Sequence, residues 1–259
     1  MNKVMICTLS FNRAPYTKRF LETFFKATNE PVDMIIVEQG SGQPAVDLCK
    51  KVDGKITKNG STIKVIWNAS NVGIPIALNQ ALALRDSSQH FMKIDNDVHF
   101  PDNYKEWLSH MVDIAANHTE KDNMGILGLS PFSNDRPRSE RGNLRMITLK
   151  NGNQYQIEQW PHNLLEMGLF LSAKIATKVG GFNEKGLKYG YEGPWYQAKA
   201  NCAKAYFYTF LAIHGDAQDL DEAKDHQAIK LRLLRGGQDA NSHAESYSND
   251  ATLLDIEWQ

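Results

Sequence analysis

Apolar residues along this chain alternate between two spacings. KVMICTL (3–9) and DMIIVEQ (33–39) are unbroken apolar runs bounded by Asn, Pro, Gly and Ser, the pattern of buried strands. Between them, APYTKRFLETFFKAT (14–28) places Phe20, Leu21, Phe24 and Phe25 at helical spacing. TIKVIWN (62–68) reads as a third strand and HFMKID (90–95) as a fourth. The helix IPIALNQALALRD (74–86) lies between those two, with Pro75 near its start, where a missing N–H costs nothing. Strand–helix alternation predicts an α/β, Rossmann-like and mostly parallel sheet flanked by helices. Ligands of such sheets bind beyond the carboxyl ends of the strands, where Ser10, Asn12, Gln39, Asp95 and Asp97 are expected.

The second half is less regular. Residues 104–118 and 192–204 read as helices, and 124–130, 163–173 and 203–214 as strands. SNDRPRSERGNLR (133–145) is polar, arginine-rich and without period, and reads as a loop. DLDEAKDHQAIKLRLLR (219–235) predicts a helix, acidic at its start and basic at its end. The tail after Gly236 is expected to pack as an arm. Segments 44–60 and 236–259 carry the weakest pattern. No internal repeat or linker marks a domain boundary.

Composition changes this picture little. The chain has 259 residues, 42% hydrophobic and 23% charged, enough to bury a core without covalent staples. A net charge of −1 argues against a global field for DNA or anionic membranes. Cys7, Cys49 and Cys202 form no C-x-x-C pair and read as reduced thiols. No apolar stretch reaches the length of a membrane span, so a cytoplasmic protein is expected.

The chemistry concentrates at KIDNDV, where the fourth strand ends in Asp95 and Asp97. Two like charges so close repel unless something positive sits with them. A hard divalent cation awaiting phosphate oxygens is one answer; a backbone-capping turn by Asp95 and Asn96 is the other. His214, at the end of the strand AYFYTFLAIH, could add a nitrogen ligand, which favours Mn²⁺ over Mg²⁺. Asn71 and Gly73 lead directly into a helix N-terminus, a natural place for anionic groups.

The ordered series TLSFNR, IIVEQGSG, NVGIPIALNQAL, KIDNDVHFP, VGGFNEKGLKYGYEGPW and AIHGD resembles GT-A fold glycosyltransferases, above all the inverting family-two group. The resemblance covers roughly residues 3–215. It implies one domain: a nucleotide-sugar half (1–100), a smaller acceptor-side half (101–235) and a C-terminal arm (236–259). It further implies that Ser10, Asn12 and Arg13 line the nucleotide pocket and that Glu38 and Gln39 read the base. By the same resemblance Asn71 and Gly73 lie beside ribose and diphosphate, Asp95 and Asn96 contact the donor, and Asp97 and His214 bind Mn²⁺ or Mg²⁺. Family members commonly carry Glu-Asp where this chain has Glu192-Gly193, so Glu192 is the candidate base with its usual neighbour missing.

The expected reaction is transfer from a nucleotide-diphosphate sugar, UDP-linked, to an acceptor hydroxyl with inversion. Trp160, Tyr191 and Trp195 offer aromatic faces for an acceptor glycan. Arg136, Arg138 and Arg141 could hold an anionic acceptor such as modified DNA, or close over the diphosphate. Two rival readings stand beside this one: a non-catalytic nucleotide-sugar-binding protein, and a sugar nucleotidyltransferase. The second needs a Gly-rich phosphate loop after the first strand, which TLSFNRAPYTKR lacks.

Overall fold

The computed structural model describes residues 3–100, 105–131, 142–159, 163–164, 167–185, 192–214 and 254–259. Among these residues the elements run β1 (Val4–Ser10), α1 (Ala14–Ala27), β2 (Val32–Gln39), α2 (Gln43–Val52), β3 (Thr62–Asn68), α3 (Ile74–Leu82), β4 (His90–Ile94), β5 (Val98–His99) and α4 (Trp107–Asn117). They continue as β6 (Met124–Pro131), β7 (Asn143–Thr148), β8 (Gln154–Gln159), β9 (Gly168–Leu171), α5 (Ala173–Val179), α6 (Glu192–Ala200) and β10 (Ala203–His214).

One sheet carries them in the order β3-β2-β1-β4-β9-β6-β10-β8-β7, with β5 pairing β10 from outside that path. The pairs β1–β2, β2–β3 and β1–β4 are parallel, as the strand–helix alternation of the first hundred residues predicts, and β6–β10 is parallel as well. β9 enters antiparallel between β4 and β6. The β7–β8 hairpin closes the far edge against β10.

Strand alternation feeds two apolar layers. Val4 and Ile6 of β1 pack with Phe20, Phe24, Trp107 and Met111 on one face. Met5 and Cys7 pack with Leu78, Phe91, Phe182 and Tyr196 on the other. Phe20, Phe24, Phe100 and Trp107 form a contiguous aromatic group, with Phe24 edge-on to Phe100 at 5.4 Å. No helix among the described residues is long and apolar enough to cross a membrane.

Several expectations need correction. Residues 44–60 hold α2 and its following turn; the Gln-Pro start and the buried Ala45, Leu48, Cys49 and Val52 are a short amphipathic pattern. The strand expected over 163–173 is confined to Gly168–Leu171, because Ser172 caps α5 by accepting the Ile175 N–H. The helix from 192 stops at Ala200, where Asn201 takes a left-handed φ of 46°. Arg145 belongs to β7 rather than a loop, and its guanidinium pairs with Asp122 at 2.8 Å. The helix expected over 219–235 lies outside the described residues.

The last six residues pair with the turn that follows α2. The Lys58 N–H donates to the Glu257 carbonyl and the Gln259 N–H to the Ile56 carbonyl, while Leu254, Ile256 and Trp258 pack on the α1 and α2 layer.

Candidate active site

The carboxyl ends of β1, β2, β3 and β4 lie side by side: Ser10 is in register with Glu38, and Gln39 with Asn68. The loops leaving these strands are tied to one another. Asn12 takes a left-handed φ of 55°, a conformation asparagine tolerates better than most residues. Its side-chain oxygen accepts the Gly42 N–H at 2.7 Å, and its own N–H donates to Ser41 Oγ at 3.1 Å. The loop after β1 is thereby fixed to the start of α2.

Glu38 is buried, and its two carboxylate oxygens accept the N–H groups of Gly40 and Ser41 at 2.9 and 2.7 Å. The role visible for Glu38 is to shape the loop beyond β2. Gly40 has φ +68°, and its α-carbon lies so close to residues 69–70 that a Cβ would fall 2.6 Å from Ser70 Cα. Beyond β3, the Asn71 side chain accepts the Gly73 N–H at 2.9 Å, and Gly73, at φ 92°, opens α3.

The acidic doublet sits where β4 ends. The Asp95 N–H is held by the Met167 carbonyl, and the Val98 N–H turns back onto the Asp95 carbonyl. The charges that the doublet was expected to need are present as side chains. Lys93 Nζ lies 2.6 Å from Asp95 Oδ1, and Arg13 Nη1 lies 2.7 Å from Asp97 Oδ2. Lys93 and Asp95 share a strand face, two residues apart. Arg13 comes from the residue preceding α1, and its guanidinium also stacks over Tyr16 at 4.2 Å. Asn96 points to the α1 side, donating to Thr17 Oγ1 at 2.9 Å.

The backbone register of β5 against β10 sets His214 opposite Val98, the residue after Asp97. Asp97 is a buried carboxylate, a donor of the kind that holds Mg²⁺ or Mn²⁺. Among the described residues no group of three or more His, Cys, Asp or Glu gathers at one point; the His214 side chain is outside them.

On the opposite side, Asn79 of α3 grips the Gly-Gly-Phe segment. Its amide accepts the Phe182 N–H at 2.6 Å and donates to the Phe182 carbonyl at 2.9 Å and to Glu184 at 2.7 Å. Gly181 is needed there, since a Cβ would meet Asn79 Oδ1 at 2.9 Å. That segment leads toward α6, which begins at Glu192. Within α6, Gln197 is buried and clasps both backbone groups of Leu164. Trp195 packs against the core layer with Lys199 Nζ 4.8 Å over its ring, so much of its surface is already used. Trp160, Tyr191, Arg136, Arg138 and Arg141 lie outside the described residues, as does the Glu192 side chain.

Three residues at this end of the sheet escaped sequence reasoning: Lys93, Thr17 and Asn79. Lys93 had a readable signal, a lone charge inside an otherwise apolar strand two residues ahead of a carboxylate. Thr17 and Asn79 had none, being ordinary polar residues on amphipathic helices.

A family profile described as glycosyl transferase family 2 matches residues 5–169. No curated protein sequence matches the chain. Among solved structures the chain is similar to residues 1–349 of TarS from S. aureus, at 17% identity and TM-score 0.58, covering 93% of this chain and 68% of that piece. It is similar to the mannosyltransferase PcManGT from Pyrobaculum calidifontis, solved with GDP-Man and Mn²⁺, at 13% identity and TM-score 0.58, covering 91% and 65%. A third, GalNAc-T7 with UDP, GalNAc and Mn²⁺, matches at 11% identity and TM-score 0.55, covering 83% and 44%. The chain thus spans about two thirds of the TarS piece and of PcManGT, and less than half of the longer TarS structure and of GalNAc-T7.

Proposed function

The chain belongs to glycosyl transferase family 2 and has the GT-A fold, and from that premise we propose that it moves a sugar from a UDP-linked donor to an acceptor hydroxyl with inversion. The observation that carries this reading is the convergence at one sheet edge of the loop ends at 10–13, 38–42 and 71–73 with the doublet at 95–97. Neighbouring structures support it: one of TarS is a complex with UDP-GlcNAc, and that of PcManGT holds GDP-Man.

In the proposed mechanism the amides beyond β2, shaped by Glu38, border the nucleotide with Gln39. Asn71 and the N-terminus of α3 receive the polar groups of ribose and diphosphate, where helix amides favour negative charge. Asp97 and His214 would hold a divalent ion, which would supply charge neutralisation to the diphosphate. Asp95, oriented by Lys93, contacts the donor. Glu192, at the start of α6, takes the proton of the attacking hydroxyl. The acceptor is a glycan; a phosphate-bearing polymer engaging Arg136, Arg138 and Arg141 is the outcome expected if acceptor affinity falls with added salt.

Thermal-shift measurements with nucleotide sugars, with and without Mn²⁺, test the donor reading, because a ligand of the native state raises Tm. A UDP-sugar plus Mn²⁺ is expected to give the largest rise; no rise with any nucleotide sugar refutes it. Glu192→Gln is expected to lower turnover by about 10²–10⁴-fold with donor affinity retained. Near wild-type turnover would remove Glu192 from the chemistry. Gly193, standing where relatives place a second acid, favours a non-catalytic binder as the alternative; release of free UDP from the donor would exclude it.

A further inference from the structure

We propose that Arg13 is the resident counter-ion of Asp97 and competes with a divalent ion for it, so that the metal binds tightly only together with the nucleotide. This deepens the metal-dependent reading above and rests on it.

The charge count at the end of β4 motivates the idea. Asp95 and Asp97 supply two negative charges, and Lys93 and Arg13 answer them at 2.6 and 2.7 Å. The Asp97 side chain is 5% exposed and that of Arg13 15%, so water screens their attraction far less than at an open surface. A bare cation arriving here meets a carboxylate whose charge a guanidinium already answers at Oδ2, and it competes with that guanidinium for the carboxylate. A nucleotide diphosphate changes that balance, because it brings negative charge that Arg13 can face as it leaves Asp97.

The two resident cations are held differently. Lys93 lies inside β4, with Cys7 of β1 on one side in register and Leu169 of β9 on the other, and its side chain is 6% exposed. It stays with Asp95. Arg13 stands outside the sheet, ahead of α1, on a loop whose backbone is fixed through Asn12. Its guanidinium rests on the face of Tyr16, a surface along which a planar cation can pivot without losing the stacking contact. The structure thus separates a fixed cation for Asp95 from an exchangeable one for Asp97.

The test is Mn²⁺ affinity, read by electron paramagnetic resonance of the free ion, with and without UDP. Wild-type protein is expected to bind Mn²⁺ weakly alone and much more tightly with UDP. Arg13→Met and Arg13→Gln are expected to bind Mn²⁺ alone about tenfold to a hundredfold more tightly than wild type, the range set by loss of a charge-assisted contact. The added effect of UDP on Mn²⁺ should shrink correspondingly. Arg13→Lys keeps a cation and should stay near wild type, while Asp97→Asn should abolish binding in every background. Circular dichroism confirms that each variant is folded. If UDP tightens Mn²⁺ in wild type but neither neutral variant gains affinity alone, the counter-ion role is refuted and the metal site stands. The role is also refuted if Arg13→Lys moves with Arg13→Gln. If wild type binds no Mn²⁺ even with UDP, the metal reading itself fails and takes this inference with it.

Discussion

Replacing Gly40 by alanine should damage the donor edge far more than the same change at Gly54, another left-handed glycine. Two costs combine. The backbone sits at φ +68°, where an L-residue is less stable than glycine by about 1 kcal/mol. The added Cβ would lie 2.6 Å from Ser70 Cα, 2.8 Å from the Ala69 carbonyl oxygen and 2.8 Å from Ser70 N. Carbon contacts settle near 3.5–4.0 Å, so the loops beyond β2 and β3 must part by roughly 1 Å. Every atom met belongs to backbone, which cannot rotate away, and overpacking of this kind costs about 1–3 kcal/mol. The expected total is about 2–4 kcal/mol. Gly54 provides the control: its φ is +74°, yet nothing lies within 4 Å of an added Cβ, so Gly54→Ala should cost only about 1 kcal/mol. Urea unfolding at equilibrium, with the m-value checked for constancy, measures both. Gly40→Ala should also weaken nucleotide binding, since Glu38 holds the amides of that same loop. Equal destabilisation of the two variants, within about 0.5 kcal/mol, would refute the close-approach argument.

His90 predicts an acid-side loss of stability. Burial, then the nearby Arg85 charge, lower its imidazole to about 4, against an ordinary value of about 6.5. Between those values the unfolded chain binds a proton that the folded one does not. Stability should therefore fall as pH drops from about 6.5 to about 4, by up to ~1.4 kcal/mol per pH unit; His90→Gln should flatten that slope, and an unchanged slope disproves the assignment. Asn79→Ala removes three hydrogen bonds to Phe182 and Glu184. It should cost about 1–3 kcal/mol and expose the Phe182 amide to hydrogen exchange, whereas retained protection would show that the segment is held by other contacts. Deleting residues 254–259 strips Leu254, Ile256 and Trp258 from the α1 and α2 layer. A loss on the order of 2 kcal/mol is expected by urea unfolding, and no loss would mean that these residues pack without stabilising.

The first hundred residues were readable because β1, β2 and β4 are buried on both faces and each helix on one. The runs at 3–9 and 33–39 and the Phe20/Phe24 spacing therefore carry the fold directly. The β7–β8 hairpin was not readable: it lies at the sheet edge, and Leu144 and Met146 are exposed rather than following an alternating burial pattern. α2 was missed because its ten residues hold few apolar positions. At the site, position is legible and pairing is not. The doublet announced a need for positive charge, but its sources come from residue 93 in the same strand and from residue 13, far away in sequence. Strand order decides such meetings: β1 lies beside β4 only once the chain has crossed over three times.

The antiparallel insertion of β9 has a consequence during synthesis. β4 is complete at residue 94, yet the strand that covers its outer edge begins at residue 168. At translation rates of about 5–20 residues per second, the nascent chain carries that apolar edge uncovered for roughly 4–15 s. Unpaired edges of this kind recruit other strands. Slow codons between these two segments would lengthen the exposure, and a trigger-type chaperone should hold the emerging chain most firmly in that interval.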